Sequence, residues 1–351
     1  MPTNGPASTN FFLTVIRHDF ARLDRDGDGI LSSNELDVAL ADPSVTNLTA
    51  AAVAALKTAL RTETNGLPAL TLSNICVLTA ARKPNLALLY RTSYRRLLAV
   101  TNRVLFVEAQ PRLDTIHQGR LGNCFCLAPL GALVHREPAT VPGLFTAGTN
   151  GAYLVRLGTN TVTVTAPTDG EIALGSSSEH EGLWVNVYEK AVGVFRNNLR
   201  PPAQRFADPL DAVERGGSSG SVLALVTGHG VRRFTFTFAQ ATNATAATIT
   251  NQLTRLRTAL ADAVRRRALM TCGTEKVTTP GLTPHHAYAV LDYRSATDEV
   301  ELWNPHGQTF TPKAAPPGPA TGYPTKKGVF RMPLTEWVKT FRGLAIEVLP
   351  G

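Results

Sequence analysis

Four cysteines in 351 residues are too few for a disulfide framework. A reducing, cytoplasmic setting is therefore expected, with each thiol either packing or doing chemistry. No run approaches the roughly 18 uninterrupted apolar residues a membrane span needs, and even Leu48 to Leu60 carries Lys57. Residues 1–10 show neither a basic segment nor an apolar core, so no secretory signal is visible. With 28 Gly and 23 Pro, the chain is not low-complexity or collagen-like; 43% apolar and 18% charged residues exclude a disordered, charge-rich tail. No glycine-rich loop precedes a lysine as a phosphate cradle would, so no nucleotide cofactor is indicated. The histidines lack zinc-ligand spacing, and the adjacent His285 and His286 have no two further ligands nearby. The net charge of +8 invites an anionic partner. The basic residues are scattered, however. Their densest groups, Arg91, Arg95, Arg96 and Arg103, then Arg265 to Arg267, lie in helix-like stretches without an aromatic platform. Solvated helix faces explain them, and no nucleic acid partner is expected.

The length suggests about two domains. The first, 1–83, opens with an amphipathic helix, where Phe12, Val15, Ile16, Phe20 and Leu23 recur at three- and four-residue steps. Asp24 to Glu35 follows. A hard cation wants several oxygens from one short loop. Asp24, Asp26 and Asp28 stand at loop positions one, three and five, and Gly29 stands at the sharp turn. The Ile30 carbonyl, Ser32 and the two oxygens of Glu35 complete a Ca2+ ligand set. All twelve positions resemble an EF-hand. Leu48 to Arg61 and Leu72 to Ala81 read as the helices of a partner hand, but Glu63 to Thr71 between them has no ligand pattern. The second hand is therefore expected to be degenerate and metal-free. Calcium either signals through the first loop or only holds it together. Past Pro84 a linker helix is expected within 84–104, its apolar residues docking on the second module.

In that second module, Gln118-Gly119-Arg120-Leu121-Gly122-Asn123-Cys124-Phe125 runs into an apolar helix. A Cys in the first helical turn feels the positive helix end and free N–H groups, which favour thiolate. The two glycines permit a close approach, and Gln118 is placed to aim an N–H at an oxyanion. Alone, this pattern suits a nucleophile or a buried, inert Cys equally. Pro284 to Leu291 alternates as a strand; after a turn near Ser295 to Asp298, Val300 to Trp303 leads into Asn304-Pro305-His306-Gly307. Two adjacent antiparallel strands would then bring His286 near Asn304, as a Cys-His-Asn triad requires. Strand alternation sends His285 to the opposite face. Cys76, Cys126 and Cys272 read as packing residues.

These segments closely resemble the calpain family of papain-like cysteine proteases. So do, in order, Leu183-Trp184 with Tyr188-Glu189-Lys190-Ala191, then Gly216-Gly217, then Gly328 to Met332 with Trp337 and Phe341. The resemblance runs from about residue 105 to the end. It implies an α+β fold: a papain-like two-subdomain core, helical half plus antiparallel-sheet half, behind an N-terminal all-α EF-hand-like domain. The halves are expected at 105–210, with Cys124, and 211–351, with His286 and Asn304. The implied activity is a calcium-linked cysteine endopeptidase acting on proteins or peptides, with Gln118 in the oxyanion site. A catalytically weak calcium-binding interaction protein on the same scaffold is the alternative.

The chain also departs from the family pattern. Asn123 and Phe125 replace Asp and Trp beside the nucleophile, and His306 replaces the Trp that shields the Asn–His bond. A wetter triad and an altered pH profile are expected. Pro129 is expected to kink the nucleophile helix. Thr115 stands where the family has an acid, so the core is expected to lack the family's own calcium switch. The EF-hand precedes the core, whereas animal calpains carry theirs after it.

Overall fold

The computed structural model describes residues 9–63, 66–81, 84–214, 216–240 and 245–350. Parts of the expected 1–83 module, at 1–8, 64–65 and 82–83, lie outside the described residues, as does most of the segment read for a signal.

The N-terminal part is helical: α1 (Thr9–Leu23), α2 (Ser33–Ala41), α3 (Asn47–Thr62), α4 (Leu72–Ala80) and α5 (Leu86–Ala99). Helix starts follow local chemistry. Ser32 caps α2 through a reciprocal box with Glu35, Thr71 caps α4 through the Asn74 N–H, and Asn85 caps α5 through the Leu88 N–H. The Leu31 amide donates to the Leu70 carbonyl (3.2 Å), tying the loop after α1 to the loop before α4. Helix α3 is buried almost all round from Ala50 to Ala59 because α1, α2, α5 and α7 (below) cover it. Helix α5 packs on α3 as well as on α7, with Tyr90 against Phe12.

The helical half contains α6 (Cys124–Arg136), a small antiparallel sheet β1-β2-β3 (Phe145–Ala147, Tyr153–Leu157, Asn160–Val164), α7 (Asp169–Leu174), α8 (Trp184–Asn198), α9 (Asp211–Glu214) and α10 (Ser219–Thr227). Helix α6 runs from Cys124 to Arg136 with Pro129 inside it; that residue and its neighbours Ala128 and Leu130 are buried. The N-terminal helices and this half share one apolar core.

The other half is a six-stranded antiparallel sheet in the order β4-β9-β5-β6-β7-β8. Its strands are β4 (Gly230–Thr235), β5 (Met270–Thr274), β6 (Ala287–Arg294), β7 (Glu299–Trp303), β8 (Val329–Pro333) and β9 (Phe341–Val348). Helices α11 (Thr237–Gln240), α12 (Ala246–Arg265) and α13 (Leu334–Thr340) accompany it. Tyr288, Met332, Trp337 and Phe341 anchor a second apolar core between sheet and helices. The expected hairpin is present: β6 and β7 pair from Arg294↔Glu299 to Ala289↔Trp303, and Asp298 takes a positive φ in the turn. His286 immediately precedes β6 and Asn304 immediately follows β7, so the hairpin brings them to one end.

Candidate active site

Cys124 opens α6 at the boundary between the halves. Its turn is held by close packing that only glycine allows. A Cβ on Gly119 would lie 2.1 Å from the Gly175 carbonyl oxygen, and one on Gly122 would lie 2.4 Å from that of Glu214. The amide of Ala287 donates to Cys124 Sγ at 3.4 Å. The nucleophile candidate is thus bonded by the residue that follows His286. His286 Nε2 meets Asn304 Oδ1 at 2.8 Å, and the same oxygen accepts the His306 N–H at 3.0 Å. With Nε2–H donating to Asn304, the neutral ring keeps Nδ1 free to accept a proton. The backbone of His286 is fixed by Thr274, whose hydroxyl accepts its N–H (3.1 Å) and whose amide donates to its carbonyl (2.8 Å).

Gln118 reaches the same region. Its N–H donates to the Pro305 carbonyl (2.8 Å), joining the nucleophile turn to the Asn304 loop. One side-chain N–H donates to the Leu121 carbonyl (2.8 Å), which leaves the other available for an oxyanion. Cys124 and His286 line one interlobe cleft of about 600 Å³; Asn304 is bonded to His286, and Gln118 lies in the turn before Cys124. His285, the rival histidine, takes a positive φ of 50° and is exposed.

The electrostatics depart from the thiolate expected at a helix start. Burial pushes the Cys124 thiol up, against amide contacts from Ala287, Phe125 and Cys124 itself. Burial also pulls His286 down to about 3, helped by His306 and opposed by the Asn304 bond. Both shifts favour the uncharged forms, a thiol and a neutral imidazole. The reason is desolvation: the cleft closes over both groups before the helix end can stabilise an anion.

With this geometry in view, the sequence comparison is decisive: a model of the calpain family cysteine protease matches residues 83–313. The chain belongs to the calpain family. No curated protein matches it. The calpain match takes in α5, the helical half and the sheet through Asn304. Strands β8 and β9 lie beyond it, yet β9 is inserted between β4 and β5 and completes the same sheet.

Several supporting residues were not assigned a role from the sequence. Ser176 accepts from the Gly119 N–H and from Asn123 Nδ2, both at 3.3 Å, and donates to Glu189 at 2.8 Å. Glu189 also accepts from Asn123 and from the Ser176 amide. Burial raises this carboxyl to about 7 despite those bonds. The network holds the calpain-type nucleophile turn from beneath. Its sequence signals were Asn123, a polar residue beside the nucleophile that is wholly buried, and Glu189 within the family-like Tyr188 to Ala191 segment. Phe125, at the position of the family Trp, carries Arg196 over its ring at 4.6 Å. Arg96, expected on a solvated face, instead reaches the Leu174 carbonyl (3.4 Å), and its guanidinium is pulled down to about 10 by burial and then by Arg120. Thr115 donates to the buried Glu181, while Asp114 is engaged by Lys327 (2.6 Å) and Arg112 (3.1 Å).

The candidate metal loop is only partly assembled. Asp24, Asp26 and Asp28 bring carboxylate oxygens within 4.8 Å of one another, and Asp24 Oδ1 is buried without a hydrogen-bond partner among the described residues. That orphaned oxygen and the all-oxygen donor set fit a hard cation. Gly27 and Gly29 supply the positive φ angles of the turn. Glu35 is not in this cluster, contrary to expectation. Its carboxylate accepts from the amides of Arg25, Asp26 and Ser32 and from the Ser32 hydroxyl. Burial pushes it up, but these bonds outweigh that and hold it below the usual carboxylate range. Ser32 is likewise engaged in the helix cap. Among the described residues, no helix is long and apolar enough to cross a membrane.

Proposed function

We propose that this calpain-family chain is a cysteine endopeptidase working through Cys124, His286 and Asn304, with Gln118 in the oxyanion site. The observation that carries the reading is the Ala287 N–H on Cys124 Sγ, which sets the thiol beside a histidine already oriented by Asn304. Substrate in the cleft brings its carbonyl to Cys124. His286 Nδ1 takes the thiol proton as sulfur attacks, then returns it to the leaving amine. The Cys124 amide and the second Gln118 N–H stabilise the oxyanion, each donor supplying about 3–4 kcal/mol. Because burial favours the neutral forms, proton transfer belongs to the attack step.

The test is labelling by an uncharged thiol-reactive peptide probe together with cleavage of an unstructured protein. The expected result is labelling and turnover that vanish in Cys124→Ala. Asn304→Ala should lower kcat by about 100-fold or more. A chain that binds peptides but neither labels nor cleaves is the interaction protein on a calpain scaffold.

The loop 24–35 is proposed to bind calcium through Asp24, Asp26 and Asp28, with Glu35, Ser32 and the Ile30 carbonyl recruited by a change in the first turn of α2. Bound calcium would supply positive charge that holds these oxygens together. Calcium at a hundredfold excess over its Kd should stabilise the chain by about 2.7 kcal/mol, read as a raised Tm that Asp26→Asn abolishes. An equal Tm with calcium and with chelator removes the site. The second loop is proposed as a packing partner through the Leu31–Leu70 bond.

A further inference from the structure

The cleft beside Cys124 has an uneven inventory of charge. Two arginines line it, Arg233 and Arg342, and no carboxylate does among the described residues. The floor is otherwise small. Read across the sheet through paired strands, it runs Ala287, Gly273, Gly343, Thr235 in one row and Thr271, Ala345, Arg233 in the next. Partners in register share a face, so Arg233 stands on the same face as Gly273 and Ala287, the residue bonded to Cys124. Arg342 reaches this floor differently. Gly273 pairs with Gly343 and Thr274 with Phe341, so Arg342 is the extra residue of a bulge, which re-aims a side chain away from strict alternation.

Neither guanidinium is neutralised. Arg342 makes no side-chain hydrogen bond or ion pair with any described residue, and Arg233 has only the Ser221 hydroxyl, at 3.4 Å. Both are exposed to the cleft solvent. The opposite wall adds charge of the same sign. Gly216 to Gly220 lead into the N-terminus of α10, whose first-turn amides point their positive end toward the same space. Glycines, hydroxyl side chains and His285 make up much of the rest of the lining, so the two arginines are its long cationic groups.

From this geometry we propose that the cleft selects peptides with a carboxylate side chain held by Arg342 and Arg233. The proposal rests on the peptidase reading for the chemistry but not for the binding. Neighbouring strands lie about 4.8 Å apart, so Arg342 is about 10 Å and Arg233 about 14 Å from Ala287. An extended peptide advances about 3.3 Å per residue, which places the selected Asp or Glu about three or four residues from the bond that is cut. A second carboxylate at the neighbouring position engages the second arginine. The net charge of +8 steers such peptides toward the molecule, while the arginine pair fixes which position matters.

The experiment measures binding of fluorescent peptides to the Cys124→Ala protein, each peptide made with Glu or Gln at successive positions. Glu peptides should bind about tenfold more tightly at one or two adjacent positions at low salt, with the advantage shrinking as salt is raised. Arg342→Glu combined with Arg233→Glu should abolish that preference and transfer it to Lys peptides; the paired Gln substitutions should abolish it without reversal. Arg294→Glu is the control, an exposed arginine outside the cleft that changes net charge equally per site, and should leave the position preference intact. Equal binding of Glu and Gln peptides at every position overturns the proposal, as does an equal loss in the control. The parent chain is assayed in parallel for cleavage and Cys124 labelling. Position-selective binding without either would remove the peptidase reading and leave the acidic-peptide site standing.

Discussion

His306 shows how one substitution re-sets a site. Its ring stacks on His286, with centroids 4.4 Å apart and planes 19° apart. It thus covers the imidazole as the family Trp would, but it can carry a proton. Burial, and then Arg96, lower its pKa, so it charges only below the ordinary histidine range. Once charged, it opposes transfer of the Cys124 proton to His286. Activity should therefore fall with an extra ionisation as pH drops. In His306→Trp that ionisation should disappear, so the variant-to-parent ratio of kcat/KM should rise as pH is lowered through and below the ordinary histidine range. A ratio constant across that range would contradict the coupling. The substitution was readable in the chain as a departure from the family motif. The stacking was not, because it depends on how the Asn304 loop folds over β6.

At the scale of elements, the site is the meeting of two helix ends and a hairpin. Glycines at 119 and 122 let the nucleophile turn touch the ends of α7 and α9, and the β6–β7 hairpin delivers histidine and asparagine together. Both features follow from patterns visible in the chain: glycine beside cysteine, and two alternating runs joined by a short turn. The support beneath was hidden. Ser176 follows α7 and Glu189 lies within α8, and only packing makes them neighbours of Asn123. Ser176→Ala strands the Gly119 amide and removes one of the two partners of Asn123 in a buried setting, so stability should fall by about 1–3 kcal/mol in urea denaturation. Because the turn that carries Cys124 and Gln118 loosens, kcat should fall more than KM changes. Unaltered denaturation and kinetics would show that the network is not positioning the turn.

Across the whole molecule, the N-terminal helices are joined to the helical half and not merely tethered to it. Lys57, only 2% exposed, pairs with Asp37 on α2 and with Asp211 on α9 (3.0 Å), and Arg61 bonds Asp211 and Glu214 (2.9 Å). Removing one partner of such a buried cluster leaves uncompensated charge. Asn47 and Arg103 both bond Asp169 at the start of α7 (2.8 Å each), so the same face of the protease half is gripped twice. A chain lacking residues 1–83 should therefore lose cooperative unfolding of its helical half. Loss of the sigmoidal transition by circular dichroism, with rapid trypsin cleavage near α7, is the expected readout. A truncated chain that melts in one sharp transition would show that the shared core is dispensable.

By itself, the sequence determined what depends on neighbours along the chain: the amphipathic first helix, the alternating hairpin, the oxygen-rich loop, the glycines flanking cysteine and the family motifs. Only the tertiary structure decided what depends on burial and on distant residues meeting. It withdrew water from Cys124 and His286 and so shifted both toward their neutral forms, where the local helix end alone favours a thiolate. It turned Glu35 onto loop amides, placed Ser176 and Glu189 beneath the nucleophile turn, and set at the cleft two arginines with no ion-pair partner among the described residues. The division has a physical basis. Hydrogen-bonded caps and hydrophobic period act over a few residues, whereas desolvation and charge pairing are set by everything that surrounds a group in space.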